Sequence, residues 1–301
     1  MDAPDLSNEP YAIAEQVSPL IRRVLARNAS PFSYTGTQTY IVGHGDVAVI
    51  DPGPYGDDPA HVGELVRILE GERIVAIVCT HTHRDHSPAA APLKAATGAP
   101  IIGCAPLMLS DDGPRADAGF DPTYAPDRVL EDGEQLSGPE TGDAWTLTAV
   151  HTPGHTSNHL CYALEEEKAL FSGDHIMGWS TTVVSPPDGD MADYMRSLQL
   201  LIDRDDAIYY PAHGKPVDNP QRLARGMMGH RKQREGQILR LIERGVGAIP
   251  DMVAEMYKGI DPRLHGAAGR SVLAHLIDLQ ARALVSETGN GQWKAVAGLA
   301  K

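Results

Sequence analysis

Apolar and polar positions along the chain follow two rhythms, and the change falls after Asn219-Pro220. Before it, short β-prone runs are punctuated by Gly, Pro and Asp. The runs are Thr39-Tyr40-Ile41-Val42, Val47-Ala48-Val49-Ile50, Ile74-Val75-Ala76-Ile77-Val78-Cys79, Pro100-Ile101-Ile102-Gly103, Trp145-Thr146-Leu147-Thr148-Ala149-Val150, His159-Leu160-Cys161-Tyr162-Ala163-Leu164, Ala169-Leu170-Phe171-Ser172 and Ala207-Ile208-Tyr209-Tyr210. Runs of this length and composition predict strands, several of them buried on both faces. Gly43-His44-Gly45-Asp46 turns the first pair, and Glu165-Glu166-Glu167-Lys168 joins two later runs as a hairpin. Helical spacing covers residues 58–71, with Asp58 as N-cap, Pro59 in the first turn and Gly71 as a stop, and returns over 87–97 and 190–204. Residues 1–30 read as a mostly helical or irregular lead-in. The Asp-, Gly- and Pro-rich stretch 105–127 reads as a loop, either over a site or a mobile excursion. After residue 220 the spacing predicts helices over 221–244, 250–257 and 270–283, then a short extended pair around Gly289-Asn290-Gly291. Three helices and a wing make a small winged-helix-like module.

The chain has 301 residues, enough for a sizeable core without disulfides. Its three cysteines, Cys79, Cys104 and Cys161, are odd in number and widely spaced, and Cys79 and Cys161 sit in apolar runs. This implies buried thiols and a reducing compartment. The start, Met1-Asp2-Ala3-Pro4-Asp5, lacks the basic and apolar regions of a signal peptide, and no apolar run reaches membrane-span length. A cytoplasmic location is therefore expected. A net charge of −14, from 40 acidic against 26 basic residues, argues against broad affinity for nucleic acid or anionic membrane.

The chemistry concentrates behind the run 74–79, in Thr80-His81-Thr82-His83-Arg84-Asp85-His86. A loop at the carboxyl end of a buried strand is where layered α/β folds bind ligands. Residues two apart in an extended loop share a direction, so His81 and His83 can close on one ion, while Asp85 and His86 reach a second. Later strand ends add His151, Asp174 and His213, and strand ends on one sheet edge converge. Together these make a complete donor set for two adjacent ions.

In this pattern, HxHxDH followed by distant His, Asp and His, the chain resembles the metallo-β-lactamase superfamily. The segments Gly36-Thr37-Gln38-Thr39-Tyr40, Thr181-Thr182-Val183-Val184-Ser185-Pro186-Pro187 and His230-Arg231-Lys232-Gln233-Arg234 are further similar to the β-lactamase-like protein 2 group and its glyoxalase II-like bacterial relatives. The resemblance implies an αββα sandwich (α/β class) over residues 1–225 and a winged-helix-like domain over 226–301. It also implies a first ion on His81, His83 and His151, a second on Asp85, His86 and His213, and Asp174 bridging both. Asp51 is implied to orient the ligand loop. The ligand set suits zinc first and tolerates iron or manganese.

Two such ions acidify a bridging water into a hydroxide nucleophile, so the expected reaction is metal-dependent hydrolysis. Asp85 and Asp174 are expected to act in catalysis, and His175, with His155 or His159 as alternatives, to protonate the leaving group. The substrate classes are single-stranded RNA, which the resemblance favours, or a small ester or thioester of glyoxalase II type, which the acidic charge favours. The basic cluster Arg222, Arg225, His230, Arg231, Lys232 and Arg234 is either a solvated surface or a groove for a single strand. Aromatic residues for base stacking are only 5% of the chain. A non-enzymatic winged-helix nucleic-acid-binding role is disfavoured by the complete ligand set. Specific DNA binding is disfavoured by the acidic residues around the module.

Overall fold

A computed structural model describes residues 6–107, 119–139, 144–259 and 261–296. Residues 108–118 of the expected loop 105–127 lie outside the described residues.

Two sheets face each other. The first takes its strands in chain order: β1 (Glu15–Gln16), β2 (Ile21–Leu25), β3 (Gln38–Val42), β4 (Asp46–Ile50), β5 (Arg73–Cys79), β6 (Ile101–Gly103) and β7 (Arg128–Val129). Pairing is antiparallel through β4 and parallel from β4 to β7. Parallel pairing requires crossovers. Helix α1 (Ala60–Ile68) supplies the one between β4 and β5, and α2 (Ala90–Thr97) the one between β5 and β6. The second sheet contains β8 (Gln135–Ser137), β9 (Thr146–His151), β10 (Leu160–Leu164), β11 (Ala169–Gly173) and β12 (Ile208–Pro211), in the spatial order β12-β11-β10-β9-β8.

The side-chain period of two decides which layer each strand residue joins. In β10, Leu160, Tyr162 and Leu164 enter the core between the sheets, with Tyr40, Ile50 and Val78 opposite. Cys161 and Ala163 point the other way, into a second core under Tyr194, Leu198 and Leu201 of α3 (Met191–Ile202). With both faces covered the strand reads as a continuous apolar run. The lead-in departs from expectation: Ile21, Val24 and Leu25 are buried in β2, which pairs with β3. Arg22 and Arg23 hide the strand in sequence, but Arg22 reaches Glu72 and Arg23 reaches Glu15, so both charges stay at the edge.

Helix α4 (Pro220–Glu243) is followed by α5 (Ile249–Met256), α6 (His265–Ala281) and a wing of β13 (Val285–Glu287) and β14 (Trp293–Ala295). The first half of α4 puts Ala224 and Met227 into the α3 core. Its second half puts Ile238, Leu241 and Ile242 into a third core with Met252, Val272, Leu276 and Trp293. One unbroken helix therefore belongs to both cores, and residue 225 falls within it.

Candidate metal centre

The site is built on Asp51, the residue that closes β4 beside the end of β5. Its backbone is left-handed (φ 49°), an uncommon conformation that only Asn and Asp tolerate well among residues with a side chain. The turn aims the carboxylate across the sheet edge. Oδ1 accepts the Thr80 backbone N–H at 2.8 Å, and Oδ2 accepts the Thr80 hydroxyl at 2.8 Å and His86 Nδ1 at 3.0 Å.

Each of four buried imidazoles is tied by its outer nitrogen. Thr80 gives its hydroxyl proton to Asp51, so Thr80 Oγ1 must accept from His81 Nδ1 at 3.0 Å. His86 Nδ1 donates to Asp51, His155 Nδ1 to the Val183 carbonyl at 2.7 Å, and His213 Nδ1 to the Gly36 carbonyl at 3.2 Å. The outer nitrogen carries a proton and each Nε2 is turned inward; in His86 and His213, where the facing carboxylates favour a second proton, Nε2 is the atom from which a cation would displace it.

Those inner nitrogens converge. His83 Nδ1 lies 2.9 Å from His81 Nε2 and 3.0 Å from His155 Nε2. On the other side, Asp85 Oδ2 lies 3.1 Å from His213 Nε2 and 3.5 Å from His86 Nε2. Asp174 stands between, with Oδ1 3.3 Å from His213 Nε2 and Oδ2 3.6 and 3.7 Å from the Nε2 atoms of His86 and His155. Three overlapping groups result, His81–His83–His155, His81–His86–Asp174 and Asp85–His86–His213, each with its donor atoms within 4.8 Å of one another. Asp85 Oδ1, Asp174 Oδ1 and His86 Nε2 are buried with no hydrogen-bond partner. Burial disfavours the charged form of every member, yet the histidines hold the Asp85 and Asp174 carboxyls well below the usual range. Burial likewise opposes protonation of His213, but Asp174 and Asp85 outweigh it and push that imidazole up to about 10. A buried donor set of this kind demands positive charge at its centre, and its two-carboxylate, imidazole-rich composition fits divalent cations such as zinc, iron or manganese.

Six of the seven donors expected from the sequence are brought together here. His151 is not, which corrects that expectation. It is the last residue of β9 and shares the parity of Leu147 and Ala149, but at the strand's end it is exposed, with Nε2 3.1 Å from the Ser157 carbonyl. The Pro153-Gly154 turn then reverses the chain and brings in His155, which is 4% exposed. Gly154 has φ 135°, and a Cβ there would stand 2.3 Å from the Tyr194 Cα. The signal for His155 was this turn, immediately before a histidine.

His175 is also corrected as a leaving-group acid. Asp174 and His175 diverge after β11, and His175 lies in the core beneath α3, its ring 4.6 Å from that of Tyr194. Burial, reinforced by the charges of His155 and Arg231, depresses it to about 3, so at neutral pH it is the neutral imidazole and not the imidazolium acid the role requires. His159 is fully buried, and its Nε2 accepts the Asp174 backbone N–H at 3.2 Å, which holds Asp174 in place.

His83, Asp85, His155, Asp174 and His213 open onto a cavity of about 720 Å³ between the sandwich and the C-terminal helices. Phe32, Tyr34, Met177, Trp179 and Leu264 line it, and Tyr34 stacks on Trp179 with ring centroids 5.0 Å apart.

Residues 34–213 match the family model of the metallo-beta-lactamase superfamily. The chain belongs to this superfamily. Residues 248–293 match the beta-lactamase associated winged helix domain, so the metallo-beta-lactamase fold is followed by a winged helix. Over 99% of this chain and 92% of its own length, the lactamase-like protein ptaB of Pestalotiopsis fici is 27% identical. The atrochrysone carboxyl ACP thioesterase AgnL7 of Paecilomyces divaricatus is 32% identical over 78% of this chain and 68% of its own. Among solved structures, a beta-lactamase domain protein from Burkholderia ambifaria superposes with TM-score 0.77 at 19% identity, covering 96% of each chain. A metallo-beta-lactamase family protein from Thermus thermophilus gives 0.71 at 19% identity, covering 93% of this chain and 100% of that one. The chain is thus a hydrolase of the metallo-beta-lactamase superfamily. No helix among the described residues is long and apolar enough to cross a membrane.

Proposed function

We propose that this metallo-beta-lactamase superfamily hydrolase cleaves an acyl thioester or ester, with two divalent cations held at the converging histidines. His81, His83 and His155 would hold one, Asp85, His86 and His213 the other, with Asp174 between them. Divalent cations bound there would supply Lewis acidity toward a carbonyl oxygen and an acidified water.

The protein's own groups divide the remaining work. Asp85 turns Oδ2 to His213, while Oδ1 is unpartnered beside the cavity, placed to orient and deprotonate an incoming water. Asp51 and Thr80 fix the ring planes of His86 and His81. Trp179, Phe32 and Met177 exclude water from the acyl group and supply apolar contact.

The observation that carries the reading is the cavity itself: the donor cluster faces a pocket of about 720 Å³ walled by aromatic and aliphatic side chains, a size suited to a small acyl substrate. The relatives named as thioesterases point the same way. The single-stranded RNA reading has less support, because Arg222, Arg225 and Lys232 are exposed and do not line this cavity. The test is release of free thiol from acyl-N-acetylcysteamine thioesters by zinc-loaded protein, beside a fluorogenic single-stranded RNA. Thioester turnover that vanishes after chelation and in Asp85→Asn is the expected result. Metal-dependent RNA cleavage without thioester or ester turnover would reverse the assignment.

A further inference from the structure

Arg231 is the most deeply buried cation of α4, at 3% exposure, and it lines the substrate cavity. Its Nη2 donates to the Thr182 carbonyl at 2.5 Å, and its guanidinium carbon stands 5.1 Å over the Tyr194 ring. Its Nε–H is buried with no hydrogen-bond partner, and no ion pair to a carboxylate neutralises it among the described residues. Arginine does not shed its proton, so this positive charge is permanent. A buried unpaired charge is strongly unfavourable unless a counter-ion arrives.

The neighbours add donors rather than acceptors. Arg234 Nε donates to His230 Nε2 at 3.2 Å, so the neutral His230 ring carries its proton on Nδ1. That Nδ1 is buried without a partner, and both residues line the same cavity. Arg234 is held over the Tyr257 ring at 4.4 Å and by the Met256 carbonyl, again with no carboxylate among the described residues. By contrast Arg263, at the same cavity, is already paired with Asp261. His175 and His275, which also feel the charge of Arg231, are held neutral by burial and supply no negative charge.

We propose that Arg231, His230 Nδ1–H and Arg234 form an anion subsite, and that the substrate carries a carboxylate or phosphate seated there. The proposal rests on the hydrolase reading only for what that anion is attached to. A planar guanidinium with a free N–H matches either oxyanion. Thr182 sets the distance to the reacting end: its carbonyl holds Arg231, and its hydroxyl lies 3.1 Å from His155 Nδ1. An anion on Arg231 is therefore one residue's breadth from the histidine cluster.

Two measurements test this. The first uses EDTA-treated protein, so that no cation competes for the anion, and titrates inorganic phosphate, succinate and neutral dimethyl succinate by calorimetry. Phosphate or succinate is expected to bind wild type at least about tenfold more tightly than Arg231→Met, the scale of a charge-assisted bidentate contact, and dimethyl succinate not at all. Equal affinities in the two proteins would overturn the subsite, whatever the enzyme hydrolyses. The second compares kcat/KM for succinyl- and butyryl-N-acetylcysteamine and for butyryl-4′-phosphopantetheine on the metal-loaded protein. In Arg231→Met the preference for one anionic substrate over its neutral counterpart is expected to fall about 10- to 100-fold. A fall confined to succinyl places the anion on the acyl side, and one confined to phosphopantetheine places it on the thiol side. No fall in either overturns the proposal. Arg231-dependent anion binding without thioester turnover would leave the subsite standing and remove the thioesterase reading. If Arg231→Met does not fold, Arg231→Lys and His230→Phe carry the same titrations, with smaller losses expected and wild-type affinity in both as the contrary result.

Discussion

The rim of the two sheets and the seam between α3, α4 and α6 both bury histidines, and treat them in opposite ways. At the rim, His81, His86, His155 and His213 each donate an outer N–H to a fixed acceptor, so the inner nitrogen is aimed at the cluster. In the seam, His175 and His275 are as deeply buried, but neither ring nitrogen of either has a partner. Burial, helped by Arg231, depresses both to about 3 and leaves them as neutral core residues. Burial alone thus does not separate a ligand from a packing residue. The acceptor behind the ring does.

The sharpest way to break this comparison is to remove the group on which the rim converges. Asp174→Ala is expected to lower turnover by about 10³-fold or more, the scale of losing a principal electrostatic group, with metal content by mass spectrometry falling in parallel. Retained activity and metal content would show that the convergence is incidental. Next comes the choice between two nearby histidines. His155→Ala should weaken metal binding at least about 100-fold in competition with a chromophoric chelator, while His151→Ala leaves it alone and changes stability by less than about 0.5 kcal/mol. The reverse order would restore His151 to the site.

The outer acceptors are tested by Asp51→Asn, since Asn also tolerates the left-handed backbone and the fold should survive. Metal affinity is expected to drop about 10- to 100-fold, and a wild-type value would remove the orienting role of Asp51. The smallest effect concerns the seam. His175 and His275 titrate near 3 when folded and near 6.5 when unfolded, so the unfolded chain takes up protons first as pH falls. Their contribution is complete above about pH 6.5 and is lost toward pH 3, at about 1.4 kcal/mol per pH unit for each. Urea titrations of EDTA-treated protein at pH 6, 5.5 and 5, below the window in which His213 acts in the opposite sense, should show this decline, and His175→Phe should make it shallower.

The central strands and the loop 80–86 were legible because an apolar run ending abruptly in dense polar donors is the mark of a buried strand that delivers ligands to a sheet edge. The sandwich and the winged helix followed from that pattern and the resemblance it carried. Strand β2 was not legible, because Arg22 and Arg23 break the apolar run, and only its pairing with β3, with both charges met by glutamates, shows it as a strand. His151 and His155 were misassigned for a geometric reason: His151 shares the parity of Leu147 and Ala149 yet lies exposed at the strand's end, and the turn after it is what carries a histidine into the cluster. His175 failed similarly, since adjacent residues leaving β11 turn to opposite sides. The basic cluster on α4 read as one feature, whereas the helical turn sends Arg231 inward and leaves Arg222, Arg225 and Lys232 in solvent.

Helix α4 runs without interruption from the sandwich into the winged helix, and this makes the small domain something other than a detachable cassette. A chain cut after residue 225 would end within the helix, strip Met227 from the core beneath α3 and remove the wall that carries His230, Arg231 and Arg234. The two units are one folding partnership, and a shuffled winged helix would bring no pocket unless the spar came with it.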